Sequence, residues 1–151
     1  MITTIQILLK KYTSVPEDNQ AGREQALRMA VAVLLVEVAR SEDGISNEER
    51  QAIERIIEAQ HAISPAQARE IAEVAERDAR QATSLHPFTR LIVDQCSLEE
   101  RAEVVRMLWE VSFADGHSGS HEQHLVRKVA ALLHVPHRDF IRMKLQQDTT
   151  L

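Results

Sequence analysis

Six acidic side chains in this sequence are spaced in a way that suits the binding of a divalent metal ion. They form two groups of three with equal intervals, which are Glu37, Glu42 and Glu49 in the first half and Glu110, Asp115 and Glu122 in the second. Carboxylate oxygens are the ligands that hard cations such as Ca²⁺, Mg²⁺ and Mn²⁺ prefer. The pattern therefore predicts a metal site built from oxygen ligands alone.

The two acidic groups lie in segments that match each other at a constant offset of 73 residues. Residues 34–61, LLVEVARSEDGISNEERQAIERIIEAQH, align without a gap over residues 107–134. Identity is low, so the repeat rests on acidic residues at equal spacing inside similar apolar patterns. This predicts two halves of the form helix, acidic turn, helix, whose ligands would lie side by side if the halves pack about a pseudo-twofold axis.

Glu49, Glu122 and the acids of the two turns also have ordinary structural explanations. Glu49 stands three residues after Ser46, and this pair can form a capping box. Glu122 would be favoured by the dipole at the start of its helix. Glu42 and Asp115 are common turn residues. The metal site is thus a hypothesis that depends on the repeated spacing.

Glu37 and Glu110 lie inside strongly apolar helical segments, LLVEVA and LWEVSF. Burying an unpaired carboxylate is costly, so each needs a partner that neutralises its charge. A metal ion is one candidate. Arg40 and Arg106, which are close in sequence, are the alternative.

Histidines provide a second, weaker set of candidate ligands. His121 and His124 share a helix face at a spacing of three residues, and His117 lies in the turn before them. Three imidazoles beside Glu122 would suit Zn²⁺, which makes zinc a possible ion. Exposed histidines without a metal are the alternative interpretation.

The composition predicts an all-α fold. The chain has 151 residues, 44% of them hydrophobic but only 3% aromatic, with four glycines and four prolines. The apolar residues are mostly Ala, Val, Leu and Ile, and they lie among many Glu, Arg and Gln residues. This composition favours helices. We expect a single-domain bundle of about seven to eight helices, in which residues 1–22 form an N-terminal amphipathic helix with its connector and residues 23–147 form the helical domain.

Capping signals predict where most helices begin. Ser46, Ser64 and Ser97 each precede a Glu or Gln by three residues, the pattern of a capping box. Ser120 with Gln123 predicts another helix start, and the prolines of residues 86–87 and 135–136 predict two more. The segment from Met29 is apolar almost all round, so its helix should lie centrally in the fold.

Charge and apolar runs limit the partners. A net charge of -5 with arginines spread along the chain gives no basic stripe for nucleic acid. The longest apolar run is far too short to span a membrane, and the start of the chain lacks the pattern of a signal peptide.

One cysteine, Cys96, is compatible with a reducing compartment, so we expect a cytoplasmic protein. The helix predicted at Ile2–Tyr12 should pack on its own domain, with a peripheral contact to a membrane surface or a partner as the alternative.

The segments LLVEVARSEDGISNEERQAI, HPFTRLI, MLWEV, FADG and HLVRKVA resemble the TerB-like family, the helical domains named for tellurite resistance proteins and also found in DjlA-type co-chaperones. The resemblance covers about residues 26–145. It implies an all-helical bundle of repeated halves with a metal site on the six acidic positions named above.

The first turn reads Ser-Glu-Asp-Gly where the family usually has Ala-Asp-Gly, so Asp43 is an alternative to Glu42. The second turn has His117 and His121 where relatives often have acids, which weakens its negative potential.

These observations leave three functions open. The first is a non-catalytic, stress-linked interaction or sensor module that binds a divalent metal ion and a protein partner, as a monomer or a homodimer. The second is a metal-dependent hydrolase, in which paired carboxylates hold ions that activate water. The third is a purely structural protein interaction domain without metal.

Overall fold

The computed structural model describes residues 20–40, 44–116 and 118–148, and every regular element in these ranges is a helix. The helices are α1 (Gln20–Ala39), α2 (Asn47–His61), α3 (Pro65–Gln81), α4 (His86–Gln95), α5 (Leu98–Ser112), α6 (Ser120–Leu132) and α7 (His137–Gln147). The predicted all-α fold is confirmed, while the helix predicted at Ile2–Tyr12 lies outside the described residues. In the described part of the chain, no helix is both long and apolar enough to cross a membrane.

Helix α1 forms the centre of the bundle, as its apolar sequence predicts. It extends over Gln20–Ala39 in the described residues and packs against α2, α3, α4 and α5. Residues 32–36 are buried on every side of the helix. A helix that is apolar all round has no face suited to water, and the surrounding helices therefore cover it.

Three helices begin with the predicted capping boxes. In each box the serine hydroxyl accepts a hydrogen bond from the backbone amide of the residue three positions later. The side chain of that residue accepts a hydrogen bond from the serine backbone amide. The pairs are Ser46–Glu49 on α2, Ser64–Gln67 on α3 and Ser97–Glu100 on α5. The α3 box uses Gln, so in this protein a neutral amide side chain also performs the role that a carboxylate performs in the other two boxes.

The start of α6 differs from the prediction. The N-cap is Gly119, which has an extended backbone, and Ser120 is already the first helical residue. A capping residue must itself be non-helical, so the Ser120 hydroxyl does not cap the helix. The Gln123 side chain instead donates a hydrogen bond to the Ser118 carbonyl at 2.9 Å.

The junction of α5 and α7 is built on Trp109, which is 1% exposed. Its Nε1–H donates a hydrogen bond to the Phe140 carbonyl at 3.2 Å. Its ring centre lies 5.2 Å from that of Phe140 and 5.8 Å from that of Phe113, within the range of favourable aromatic pairs. This side chain therefore contributes a hydrogen bond and aromatic contacts that join α7 to the core.

The internal repeat remains a prediction. The helix starts at Asn47 and Ser120 keep the 73-residue offset. The two glycines with positive φ, Gly44 at 93° and Gly116 at 103°, miss this offset by one residue. The turns of the two halves therefore differ in detail even where their helices correspond.

Candidate metal centre

Glu49 lies in the first turn of α2 and is only 5% exposed. Its Oε1 accepts a hydrogen bond from the Ser46 amide at 3.2 Å, which completes the capping box. Its Oε2 is buried and has no hydrogen-bond partner among the described residues. The corresponding acid of the α5 box, Glu100, is exposed. Capping therefore explains one oxygen of Glu49 and leaves the burial of the other unexplained.

Glu122 lies in the first turn of α6 and is half-buried. Its Oε2 is also buried without a hydrogen-bond partner in the described ranges. Burial raises the pKa of Glu122 to about 7, and the charges of Glu49 and, more weakly, Asp115 add to the rise. A hydrogen bond with the Ser112 side chain lowers the pKa and offsets part of it. Glu122 thus lies in a position where negative charge is unfavourable.

The structure brings Glu49 of the first half and Glu122 of the second half close enough to repel each other. These residues are 73 positions apart, and each occupies the first turn of its helix. Two carboxylates that share a buried region favour either a bound proton or a bound cation. The prediction that the two halves would place their acids side by side remains a prediction for the full set of six.

Ser112 and Ser118, which the sequence analysis did not single out, form the polar contact beneath Glu122. Ser112 is fully buried at the end of α5. Its hydroxyl contacts that of Ser118 in the turn before α6, and its side chain also bonds Glu122. A serine inside the apolar run LWEVSF is the signal that identifies such a position, because a buried hydroxyl requires a partner.

Glu37 and Glu110 have the arginine partners that were the alternative to a metal. Arg40 Nη2 lies 3.3 Å from Glu37 Oε1 and 3.2 Å from its Oε2. Arg106 Nη1 donates to Glu110 Oε1 at 2.8 Å. These ion pairs neutralise both acids. One oxygen of Glu37, Oε2, is nevertheless buried without a hydrogen bond in the part of the chain that is described.

The structure describes only some of the candidate ligands in the two turns. Asp115 is exposed in the turn after α5, near enough to Glu122 to raise its pKa. Glu42, Asp43 and His117 lie outside the described residues. Their predicted role as ligands remains a prediction.

The two histidine candidates that the structure describes, His121 and His124, are both exposed. His124 lines a pocket together with Arg127 and Lys144, two cations that make the surroundings unfavourable for a metal ion. Among residues 20–40, 44–116 and 118–148, no three His, Cys, Asp or Glu side chains lie together as a group that could hold a metal.

The donor chemistry of the carboxylate pair nevertheless fits a hard divalent cation. Glu49 Oε2 in the first turn of α2 and Glu122 Oε2 in the first turn of α6 are buried acceptors that have no donor among the described residues. Such oxygens are the preferred ligands of Ca²⁺, Mg²⁺ and Mn²⁺. Two carboxylates do not complete a coordination shell of six or more oxygens, so further ligands or water are needed.

One comparison with known proteins identifies the family. The family model described as tellurite resistance protein TerB matches residues 28–145. No curated protein and no solved structure gives a significant match. Because the family model covers well over half of the sequence, including all seven helices at least in part, the chain belongs to the TerB family.

Proposed function

We propose that this chain is a non-catalytic, cytoplasmic interaction and sensor module that binds one divalent cation between Glu49 and Glu122. The favoured ions are Ca²⁺, Mg²⁺ and Mn²⁺, because the ligands are carboxylate oxygens. The observation that carries the proposal is the pair of buried oxygens, one on each residue, that lack a hydrogen-bond partner in the described residues. The raised pKa of Glu122 supports it, since a site that disfavours negative charge gains from a cation.

The bound ion would neutralise the two carboxylates and hold the starts of α2 and α6 together. Glu49 lies in the first turn of α2 and Glu122 in the first turn of α6, so their repulsion opposes the approach of the two helix starts. A divalent cation supplies positive charge that neutralises both carboxylates. The capping bond of Glu49 Oε1 and the Ser112 bond of Glu122 hold the two side chains in place. The ion would thereby stabilise one arrangement of these helices as the surface for a partner protein.

Residues of the two turns supply the further ligands in this proposal. Asp115 is the first candidate, because its charge already acts on Glu122. Glu42 or Asp43 is the candidate from the first turn by its spacing. Glu37 and Glu110 stay with their arginines and are not ligands of the ion in this proposal.

The test is thermal unfolding of chelator-treated, dialysed protein titrated separately with Ca²⁺, Mg²⁺, Mn²⁺ and Zn²⁺. An ion that binds only the folded state raises the free energy of unfolding by about 2.7 kcal/mol at a hundredfold excess over its Kd. We expect a saturable rise with at least one of the three hard ions. A rise with Zn²⁺ alone would contradict the carboxylate site and favour the histidines.

Glu49→Gln is the variant that removes a ligand charge without removing the cap, because Gln67 performs the same capping role on α3. Glu100→Gln is its matched control, with the same change in the exposed box of α5. The rise should disappear in Glu49→Gln and persist in Glu100→Gln. An equal response in the two variants would show that the ion does not use Glu49.

A further inference from the structure

A pocket of about 270 Å³ lies between α6 and α7, on the face of α5 that carries Trp109. Trp109 and Phe140 form its buried apolar floor. Ser120, Arg127 and Lys144 are among the polar side chains around it. We call it the α6–α7 pocket. It combines an aromatic floor with a basic rim.

The two cations of the pocket contact aromatic rings. Lys144 Nζ lies 5.5 Å from the centre of the Trp109 ring, and the Arg127 guanidinium lies 5.8 Å from that of Phe140. The polar partner of the Lys144 ammonium is the neutral Gln123 side chain at 3.3 Å. Within the described ranges, neither cation is paired with an acid. By contrast, seven of the fourteen arginines form an ion pair with an acid in the same part of the chain.

The start of α6 adds hydrogen-bond donors on the same side. Gly119 has no side chain with which to cap the helix, and Ser120 in the first turn lines the pocket. The first amides of a helix lack intrahelical acceptors. A negatively charged ligand would therefore meet two cations, a hydroxyl and backbone amide donors.

We propose that the α6–α7 pocket binds the phosphate group of a small molecule. Arg127 and Lys144 together provide two positive charges, which match the roughly two negative charges of a phosphate monoester better than the single charge of a carboxylate. Ser120 donates a further hydrogen bond, and the floor of Trp109 and Phe140 accommodates an apolar or planar part of the ligand. The volume suits one phosphate with a small organic group, and neither Glu49 nor Glu122 lines the pocket.

Trp109 is the only tryptophan of the chain, so its fluorescence reports on this pocket. The probes are inorganic phosphate and glycerol phosphate, titrated at constant ionic strength into protein from which chelator has been dialysed away. We expect a saturable change in emission with both probes. Tighter binding of glycerol phosphate would show that the floor takes part, and equal binding would show that the phosphate group alone is recognised.

Arg127→Gln should weaken phosphate binding about tenfold, since it removes one charge-assisted hydrogen bond and leaves the Lys144–Trp109 contact unchanged. Lys128→Gln is the matched control, because Lys128 is exposed on the same helix and does not line the pocket. Lys144→Gln should weaken binding similarly, and calorimetry is the readout because this change alters the surroundings of Trp109. The proposal is overturned if phosphate gives no saturable signal, or if Arg127→Gln and Lys128→Gln weaken it equally.

Discussion

Glu122→Gln should stabilise the metal-free protein and abolish its stabilisation by metal. At about pH 8 the parent must keep a half-buried negative charge on Glu122 near the charge of Glu49, whereas the neutral amide removes both the cost of burying the charge and the repulsion. The gain should be about 1 kcal/mol in the free energy of unfolding, once solvent screening at a half-buried position is allowed for. The same variant loses a ligand charge, so the rise of about 2.7 kcal/mol at a hundredfold excess of ion should vanish.

The pH dependence gives this prediction a distinct signature. The pKa of Glu122 is about 7 in the folded protein and 4.5 for the ordinary group, so the folded state binds more protons between these values. Its contribution to stability is complete below about pH 4.5 and is lost as the pH rises through about 7. The parent and Glu122→Gln should therefore be equally stable at low pH and diverge as the pH rises.

Urea unfolding of both metal-free proteins across this range is the measurement. His61 titrates in the opposite sense, because burial and the nearby Arg28 lower its pKa from 6.5 to about 4. It is present in both proteins, so the difference between them isolates Glu122. If Glu122→Gln is less stable than the parent at high pH, the carboxylate is a favourable structural group and the proposed repulsion is absent.

Trp109→Ala should lower the free energy of unfolding by about 3–5 kcal/mol, which is a large part of the stability of a typical domain. The side chain is buried, packs against Phe113 and Phe140, and donates a hydrogen bond to the Phe140 carbonyl. Its removal leaves a cavity between α5 and α7 and takes away one of the hydrogen bonds that the Phe140 carbonyl accepts. Urea unfolding followed by circular dichroism measures the loss without the tryptophan signal.

Trp109→Phe separates packing from the hydrogen bond. It keeps an aromatic ring beside Phe140 and removes the Nε1–H donor, so a smaller loss of about 1–2 kcal/mol is expected. An equal loss in the two variants would mean that the hydrogen bond, and not the packing of the ring, joins α7 to the core.

Local features of the fold were predictable from the sequence because they depend on neighbouring residues. The boxes at Ser46, Ser64 and Ser97 need only a residue three positions later, and the structure confirms all three. The central position of α1 follows from its apolar surface. The start of α6 was placed one residue late, because the sequence does not show that Ser120 already has a helical backbone.

Features of the candidate site that depend on tertiary packing could not be decided from spacing. Glu37 and Glu110 were equally suited to a metal and to an arginine, and only the structure shows that Arg40 and Arg106 reach them. The proximity of Glu49 and Glu122 was expected only on condition that the halves pack together. The burial of one oxygen of each, and the role of Ser112 beneath Glu122, depend on helices that are distant in sequence.

The α6–α7 pocket was not predicted for the same reason. Arg127 lies on α6 and Lys144 on α7, and nothing in their spacing indicates that they meet over Trp109 and Phe140. His124 was considered as a metal ligand, whereas its surroundings are cationic. Its neighbours in space thus favour an anion over a metal ion.

The most direct test of the carboxylate site is paramagnetic broadening of backbone amide signals by substoichiometric Mn²⁺, measured by NMR on the metal-free protein. Mn²⁺ broadens signals near the place where it binds. The signals of residues 46–49 and 119–122 should broaden first, together with those around Ser112, and Glu49→Gln should prevent this. Broadening that begins on exposed acidic surfaces such as Glu70 and Glu73 of α3, with these signals unaffected, would contradict a cation site between Glu49 and Glu122.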